Sequence, residues 1–126
     1  MAHPREAAAD AVAFQLVALL EQYEGDADRL ATTWLDMELY ARVSREVEEM
    51  RLYCASLPQV SVAWVRLLIA HAELIHCLWK TGHSSGASPQ VAQCSSQHGR
   101  AVTELRQKCL WLFSKMDQGQ PRNSRH

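Results

Sequence analysis

Apolar residues recur every three or four positions along most of the chain, and this spacing predicts α-helices. A sustained alternation of apolar and polar residues, the pattern of a half-buried strand, is absent from the sequence. The sequence also lacks the Asn-Gly and Asp-Gly pairs that favour hairpin turns. We therefore expect an all-α protein.

Prolines, glycines and capping residues divide this pattern into predicted helices over about residues 4–24, 27–55, 58–81 and 89–116. Pro4, Pro58 and Pro89 suit first helical turns, because the N–H group that proline lacks has no partner there. Gly25 is expected to end the first helix, and Asp26 to cap the second.

Residues 1–116 form a single predicted helical domain, followed by a polar tail over residues 117–126 that lacks apolar periodicity and is expected to be disordered. The helices are connected by short segments, the clearest being the glycine- and serine-rich loop of residues 82–87. Helices joined in this way favour an antiparallel four-helix bundle in up-down-up-down order. Dimerisation is an alternative way of completing its core.

The third predicted helix is apolar over more than half of its circumference. A helix in a four-helix bundle needs only a narrower stripe to be buried, so the surplus surface lies under long neighbouring side chains or against another subunit. The residues expected at such a contact are Trp64, Leu68, Ile75 and Trp79.

Two aromatic residues, Phe14 and Trp34, lie off the predicted apolar stripes. Aromatic side chains are enriched in protein interfaces, although single exposed aromatics are also common on protein surfaces. Counting residues along the first two predicted helices places both at a similar height. This slightly favours a shared contact patch.

His71 and His98 fall on the apolar stripes of the third and fourth predicted helices, at nearly the same level when counted from the intervening loop. A buried histidine pair forms a hydrogen-bonded core contact or, if acidic ligands join it, a metal site. Neither His71 nor His98 ends the ExxH motif of carboxylate-bridged bundles, and the HExxH motif is absent from the sequence. We therefore prefer a hydrogen-bonded pair in the core or at an interface, and predict no metal and no cofactor.

Two further polar residues have alternative interpretations. Asp36 is expected on the buried side of the second predicted helix, where an unpaired carboxylate is costly. We expect a partner such as the Trp79 indole N–H, with an arginine or a second subunit across an interface as alternatives. His76 borders a polar strip beside Glu73, which suits either a phosphate-accepting histidine or an ordinary surface histidine. The second is favoured, because the neighbouring side chains are bulky.

Catalytic motifs are absent from the sequence, including a glycine-rich phosphate loop and a GxSxG elbow, so we expect no enzyme. The formal net charge of −1 gives no basic field for nucleic acid. Residues 60–79 are apolar, but Arg66, His71, Glu73 and His76 interrupt them, and this favours a buried helix over a membrane span.

The first residues lack the pattern of a signal peptide, and the cysteines lack CxxC spacing, so reduced thiols in the cytoplasm are expected. Only Cys77 and Cys94 fall at matching heights on adjacent predicted helices, within possible reach of a disulfide. Two packed thiols are preferred there.

The sequence thus predicts a non-enzymatic, cytoplasmic protein-interaction module: a small helical adaptor, assembly subunit or regulatory protein that sequesters a partner protein. We expect a homodimer or a hetero-complex. The alternative is a helical bundle that binds a ligand or metal through His71 and His98, and a less favoured one is a phosphotransfer bundle that uses His76.

Overall fold

The computed structural model describes the backbone of residues 4–81 and 88–118 and the side chains of residues 8–81 and 88–113. Within those ranges the chain forms four α-helices: α1 (Pro4–Thr32), α2 (Met37–Ala55), α3 (Ser61–Thr81) and α4 (Pro89–Gln118). A single 3-10 turn, Pro58–Val60, precedes α3. The described residues contain no strand, so the predicted all-α class is confirmed.

The first helix is longer than the sequence predicts. It continues through Gly25 as far as Thr32, so the predicted end at residue 24 and the predicted start of the second helix at residue 27 are wrong. Glycine inside a helix costs about 0.5–1 kcal/mol relative to alanine. Ala27 and Leu30 are fully buried on the next turns, and burying a leucine side chain contributes about 1.5–3 kcal/mol. Core packing therefore outweighs the glycine.

The second helix begins at Met37 because Asp36 caps it. The Asp36 backbone is extended, and its Oδ1 atom accepts a hydrogen bond from the Leu39 N–H at 3.1 Å. Asp36 is exposed, so the prediction of a buried carboxylate is wrong. That prediction assumed a helix running through residue 36, whereas the chain between Thr32 and Met37 is not helical and turns Asp36 outwards.

Apolar side chains from all four helices meet in one core. The most extensive contacts join α3 to α4 and α1 to both α4 and α2, while α2 and α3 contact each other less. The largest fully buried side chains are Tyr23, Leu16, Leu20, Leu30, Met50, Leu57, Leu67, Leu78 and Leu105.

Two sequence predictions fall on residues outside the described ranges. The glycine- and serine-rich loop of residues 82–87 is one of them, and the tail from residue 119 onwards is the other. The last helix reaches Gln118, two residues beyond its predicted end.

The segment Pro58–Thr81 is long and apolar enough to cross a membrane by length and composition. Core helices of soluble proteins share these two properties, and α3 buries one face, which includes Ala63, Leu67, Leu74 and Leu78. The other helices cover that face. What α3 is able to contact outside the chain therefore depends on its exposed face.

Candidate functional site

The exposed side of α3 carries a stripe in which every residue except His76 is apolar. Val62, Val65 and Ile69 are 63%, 50% and 54% exposed, and Trp79 is 46% exposed. Ala72 and His76 are also exposed and complete the spacing. We call this set the α3 seam: Val62, Val65, Ile69, Ala72, His76 and Trp79. Its members are alternately three and four residues apart, which is the heptad spacing by which one helix packs along another.

The two flanks of the α3 seam differ in polarity. On one flank, Arg66, Glu73 and Lys80 directly follow seam residues and are exposed. On the other, Leu68 and Ile75 directly precede seam residues and are half-buried against the core. The seam is therefore bordered by charge on the side nearer α4 and by apolar groups on the opposite side.

Arg66 also connects the charged flank to α4. Its Nη1 donates a hydrogen bond of 2.8 Å to Oε2 of Glu104. A shallow groove of about 290 Å³ runs beside this contact and is lined by residues that include Ile69, Glu73 and Arg100. Charged side chains from both helices thus border the seam.

The four contact residues that the sequence predicts on α3 differ in exposure in the structure. Trp64 is 7% exposed and belongs to the core of the chain, so its side chain is not available on the surface for the predicted contact. Leu68 and Ile75 are half-buried, and only Trp79 of the four is exposed. The width of the apolar arc does not predict which α3 residues are exposed, because the other helices cover the centre of the arc. The three- and four-residue spacing of Val62, Val65 and Ile69 is the sequence feature that indicates the exposed stripe.

Trp79 packs at the end of α3 with two other aromatic residues. Its ring centroid is 5.1 Å from that of Trp34 and 6.4 Å from that of Tyr40, and the rings meet edge to face. Trp34 is half-buried, and its indole nitrogen has no hydrogen-bond partner among the described residues. This cluster ties the connection between α1 and α2 to the seam.

Phe14 lies far from this cluster. It is 67% exposed and lines a groove of about 430 Å³ between α1 and α2, together with Tyr53. Because α1 continues to Thr32, the end of that helix is 18 residue steps from Phe14, or about 27 Å along its axis, and Trp34 follows that end. The predicted shared patch of Phe14 and Trp34 is therefore wrong.

The structure brings His71 and His98 together through a third residue, Tyr23. The Tyr23 Oη atom lies 2.8 Å from His71 Nδ1 and 2.6 Å from His98 Nε2. A hydroxyl group has one proton, so it donates to one imidazole and accepts from the N–H of the other. Tyr23 is buried on α1 and reads as an ordinary apolar-stripe residue in the sequence. The cluster forms only through the packing of α1, α3 and α4, so the sequence pattern does not indicate it.

Burial keeps this cluster uncharged. It lowers the pKa of His71, and burial together with the neighbouring His71 lowers the pKa of His98 to about 4. Burial also raises the pKa of Tyr23. All three side chains are neutral near pH 7. Within the described part of the chain, no three His, Cys, Asp or Glu side chains are grouped so that they could hold a metal ion.

A second buried polar pair, Asp26 and Glu46, lies between α1 and α2. Asp26 is paired with Arg29, and its Oδ1 is 3.6 Å from Nη1 of Arg42. Neither carboxyl oxygen of Glu46 has a hydrogen-bond partner among the described residues. Burial and the neighbouring Asp26 raise the pKa of Glu46, which favours its protonated form. The sequence pattern predicts a helix cap at Asp26 and does not indicate its burial beside Glu46.

The four cysteines are free thiols. Burial raises the pKa of Cys54 to about 12 and that of Cys109 to about 11. Burial, followed by the neighbouring Cys77 thiol, raises the pKa of Cys94. Protonated thiols are poor nucleophiles, so these side chains act as small apolar groups.

His76 is exposed and lies within the α3 seam, between Ala72 and Trp79.

Comparisons with protein families, with curated proteins and with solved structures find no match to the chain. The assignment of a site therefore depends on the geometry of this chain. Among the described residues, α3 carries more exposed large apolar side chains than any other helix, and all four of them belong to the seam.

Proposed function

We propose that this protein is a non-enzymatic protein-interaction module that uses the α3 seam to bind an α-helix of another chain. The observation that supports it is the exposure of all six seam positions at heptad spacing. Covering a valine or isoleucine that is about half exposed contributes about 1 kcal/mol. Several such residues in one line give a helix-sized contact.

The dimensions of the seam suit a helical partner. From Val62 to Trp79 the seam spans 17 residue steps, or about 26 Å at the helical rise of 1.5 Å per residue. Ala72 is small and near the middle, so a partner helix is able to approach closely there. Trp79 supplies a rigid aromatic surface at one end, a residue type that often dominates binding energy.

We also propose that the four helices form an antiparallel bundle in up-down-up-down order. Two contacts between α1 and α2 support this: Gln15 with Tyr53, and Asp26 with Arg42. The residue number rises on one helix as it falls on the other. Between α3 and α4, the Arg66–Glu104 contact and the approach of His71 to His98 follow the same rule. Such a bundle would hold the seam on a rigid support.

Within the interaction class, we propose a small adaptor, assembly subunit or regulator that sequesters its partner. A cytoplasmic location is proposed with it, because free and mostly buried cysteines are typical of a reducing compartment.

The alternative of a ligand or metal site at His71 and His98 has less support, since the Tyr23 hydroxyl already bonds to a ring nitrogen of each histidine. Phosphotransfer at His76 has only the exposure of that residue in its favour.

Site-specific photo-crosslinking tests the proposal. The crosslinking amino acid p-benzoylphenylalanine replaces Ile69 in the full chain, expressed in its native cells. Leu52 on α2 is the matched control, since it is 71% exposed and lies outside the seam. We expect a discrete adduct of defined mass from position 69 and none from position 52. Equal adducts at both positions, or none at either, would contradict the proposed function.

A further inference from the structure

We infer that the helix that covers the α3 seam is the α3 of a second copy of this chain, packed antiparallel about a twofold axis between Ala70 and His71. This inference rests on the proposed function, because it names the partner for the same surface. It is supported by the pairing of the seam with itself and by the charges that flank it.

An antiparallel second copy brings every seam residue opposite another seam residue. Val62 faces Trp79 of the second copy, Val65 faces His76, and Ile69 faces Ala72. The central pairing places the large isoleucine against the small alanine, and the twofold axis repeats it. Such an interface is isologous, with the same patch used on both copies, and is the commonest kind in homodimers. The α3 seam therefore has the spacing and the sizes needed to be its own partner.

The charged flank agrees with this orientation. In an antiparallel pair of helices the same flank of each helix meets, so Arg66 of one copy faces the flank that carries Glu73 of the other. With Val65 opposite His76, these two side chains lie within two residues of the same level, or about 3 Å along the axis. The twofold axis produces this opposite-charge pair twice.

Arg66 is free to make that contact as well as the one within its own chain. Its side chain is 62% exposed although it bonds to Glu104, and a guanidinium group has five N–H donors. On the other flank, Leu68 of one copy approaches Ile75 of the second. Apolar groups thus meet apolar groups, and opposite charges meet each other.

A parallel pairing fits the same residues less well. Opposite flanks meet in a parallel pair, so Leu68 would face Glu73 of the second copy and Ile75 would face its Lys80. Charged groups would then lie against apolar ones. Insertion of α3 into a lipid bilayer meets a related difficulty, because Arg66 and Glu73 lie well inside the segment Pro58–Thr81.

Measurement of mass in solution tests for the second copy. We expect the purified full chain to be a dimer by light scattering and sedimentation equilibrium. Replacing Ile69→Glu should raise the dimer dissociation constant by roughly 100-fold or more, since the charge enters the centre of the contact twice. Leu52→Glu, an equally drastic change at an exposed apolar residue outside the seam, should change it by less than about threefold. Circular dichroism should show wild-type helix content in both variants, and Val65→Glu replaces Ile69→Glu if that variant loses helix.

Disulfide trapping tests the orientation. Cysteines introduced as Val65→Cys and His76→Cys face each other only across an antiparallel contact. Under mild oxidation, a mixture of the two single variants should crosslink, whereas each variant alone should not. Alone, the two identical cysteines would be 11 residue steps apart, or about 16 Å, beyond the reach of a disulfide. The wild-type chain under the same oxidant is the control for its own four cysteines.

The failure of this inference is distinguishable from the failure of the proposed function. A monomeric wild type that still forms a position-69 adduct with a different protein would overturn the second copy and leave the interaction module standing. A dimer that tolerates both Ile69→Glu and Val65→Glu would overturn the use of the seam. Crosslinking of each single cysteine variant with itself would replace the antiparallel orientation with a parallel one. Partition of the wild type into lipid vesicles instead of self-association would overturn both proposals.

Discussion

One hydroxyl group, that of Tyr23, bonds to two imidazoles that come from different helices. Each of the three side chains would leave a buried polar group unpaired if it were alone, and such a group costs about 1–3 kcal/mol. Together they satisfy one another without any charge. The cluster therefore acts as a specific connection between α1, α3 and α4 inside an otherwise apolar core.

Removing only that hydroxyl tests the connection. We expect Tyr23→Phe to lower the free energy of unfolding by about 1–3 kcal/mol, because a ring nitrogen of each histidine loses its partner. Tyr53→Phe is the matched control, as its hydroxyl bonds to Gln15 at the surface, and it should cost less than about 1 kcal/mol. Chemical denaturation at pH 7 measures both. Equal effects of the two variants would mean that the buried cluster adds no specific stability.

The lowered pKa of His98 makes stability depend on pH. The unfolded chain binds a proton at His98 near its ordinary pKa of 6.5, whereas the folded chain does so only near pH 4. Between these values the unfolded state holds more protons, so the free energy of unfolding falls as the pH falls, by about 3 kcal/mol from this residue. Above pH 6.5 the contribution of His98 is constant.

Replacing His98→Gln removes the titrating ring and retains polar atoms. The loss of unfolding free energy between about pH 6.5 and pH 4 should then be about 3 kcal/mol smaller in the variant than in the wild type. Comparing the two proteins cancels the titrating groups that do not interact with His98, including Glu46, whose raised pKa acts in the opposite direction. Parallel pH curves for the two proteins would show that His98 protonates equally easily in the folded and unfolded chains.

At the scale of the elements, α1 shows how packing overrides a local signal. Gly25 is exposed inside the helix, and a Cβ atom added there would meet nothing within 4 Å. We expect Gly25→Ala to raise the free energy of unfolding by about 0.5–1 kcal/mol, because alanine is the better helix former. Thermal or urea denaturation measures this gain. A clear destabilisation would indicate that the chain turns at residue 25, as its sequence suggests.

The start of α2 depends on its capping residue. Asp36→Ala should cost about 1 kcal/mol, because the N–H of Leu39 loses the side-chain oxygen that accepts its hydrogen bond. Asp36→Ser should restore most of this stability, since serine is a good capping residue that lacks the charge. Urea denaturation of the three proteins separates capping from charge. If serine were no better than alanine, the role of Asp36 would be electrostatic.

For the whole molecule, association and folding are coupled if a second copy covers the α3 seam. The melting temperature of the wild type should then rise with protein concentration, because dissociation accompanies unfolding. The Ile69→Glu variant should melt at a temperature independent of concentration, while Leu52→Glu should behave as the wild type does. Differential scanning calorimetry over a hundredfold range of concentration measures this. A wild type whose melting temperature stays constant would be a monomer at those concentrations.

The residues themselves determined the all-α class and the approximate ends of most helices. Proline at the start of a helix and periodic apolar residues within it act over a few neighbouring positions. The starts of α3 and α4 therefore lie within three residues of their predicted positions. The heptad spacing of the α3 seam is also a local property, and the sequence contains it in full.

The tertiary structure alone decided which apolar side chains remain exposed and which polar ones are buried. Trp64 and Val65 are neighbours of similar hydrophobicity, yet the first lies in the core and the second is half exposed. Likewise, nothing near Glu46 in the sequence distinguishes it from the exposed Glu49. Burial depends on which residues from distant parts of the chain pack against a side chain, and a helical period shows only which residues share a face. The physical reason is that periodicity is set by the geometry of one helix, whereas exposure is set by the arrangement of several.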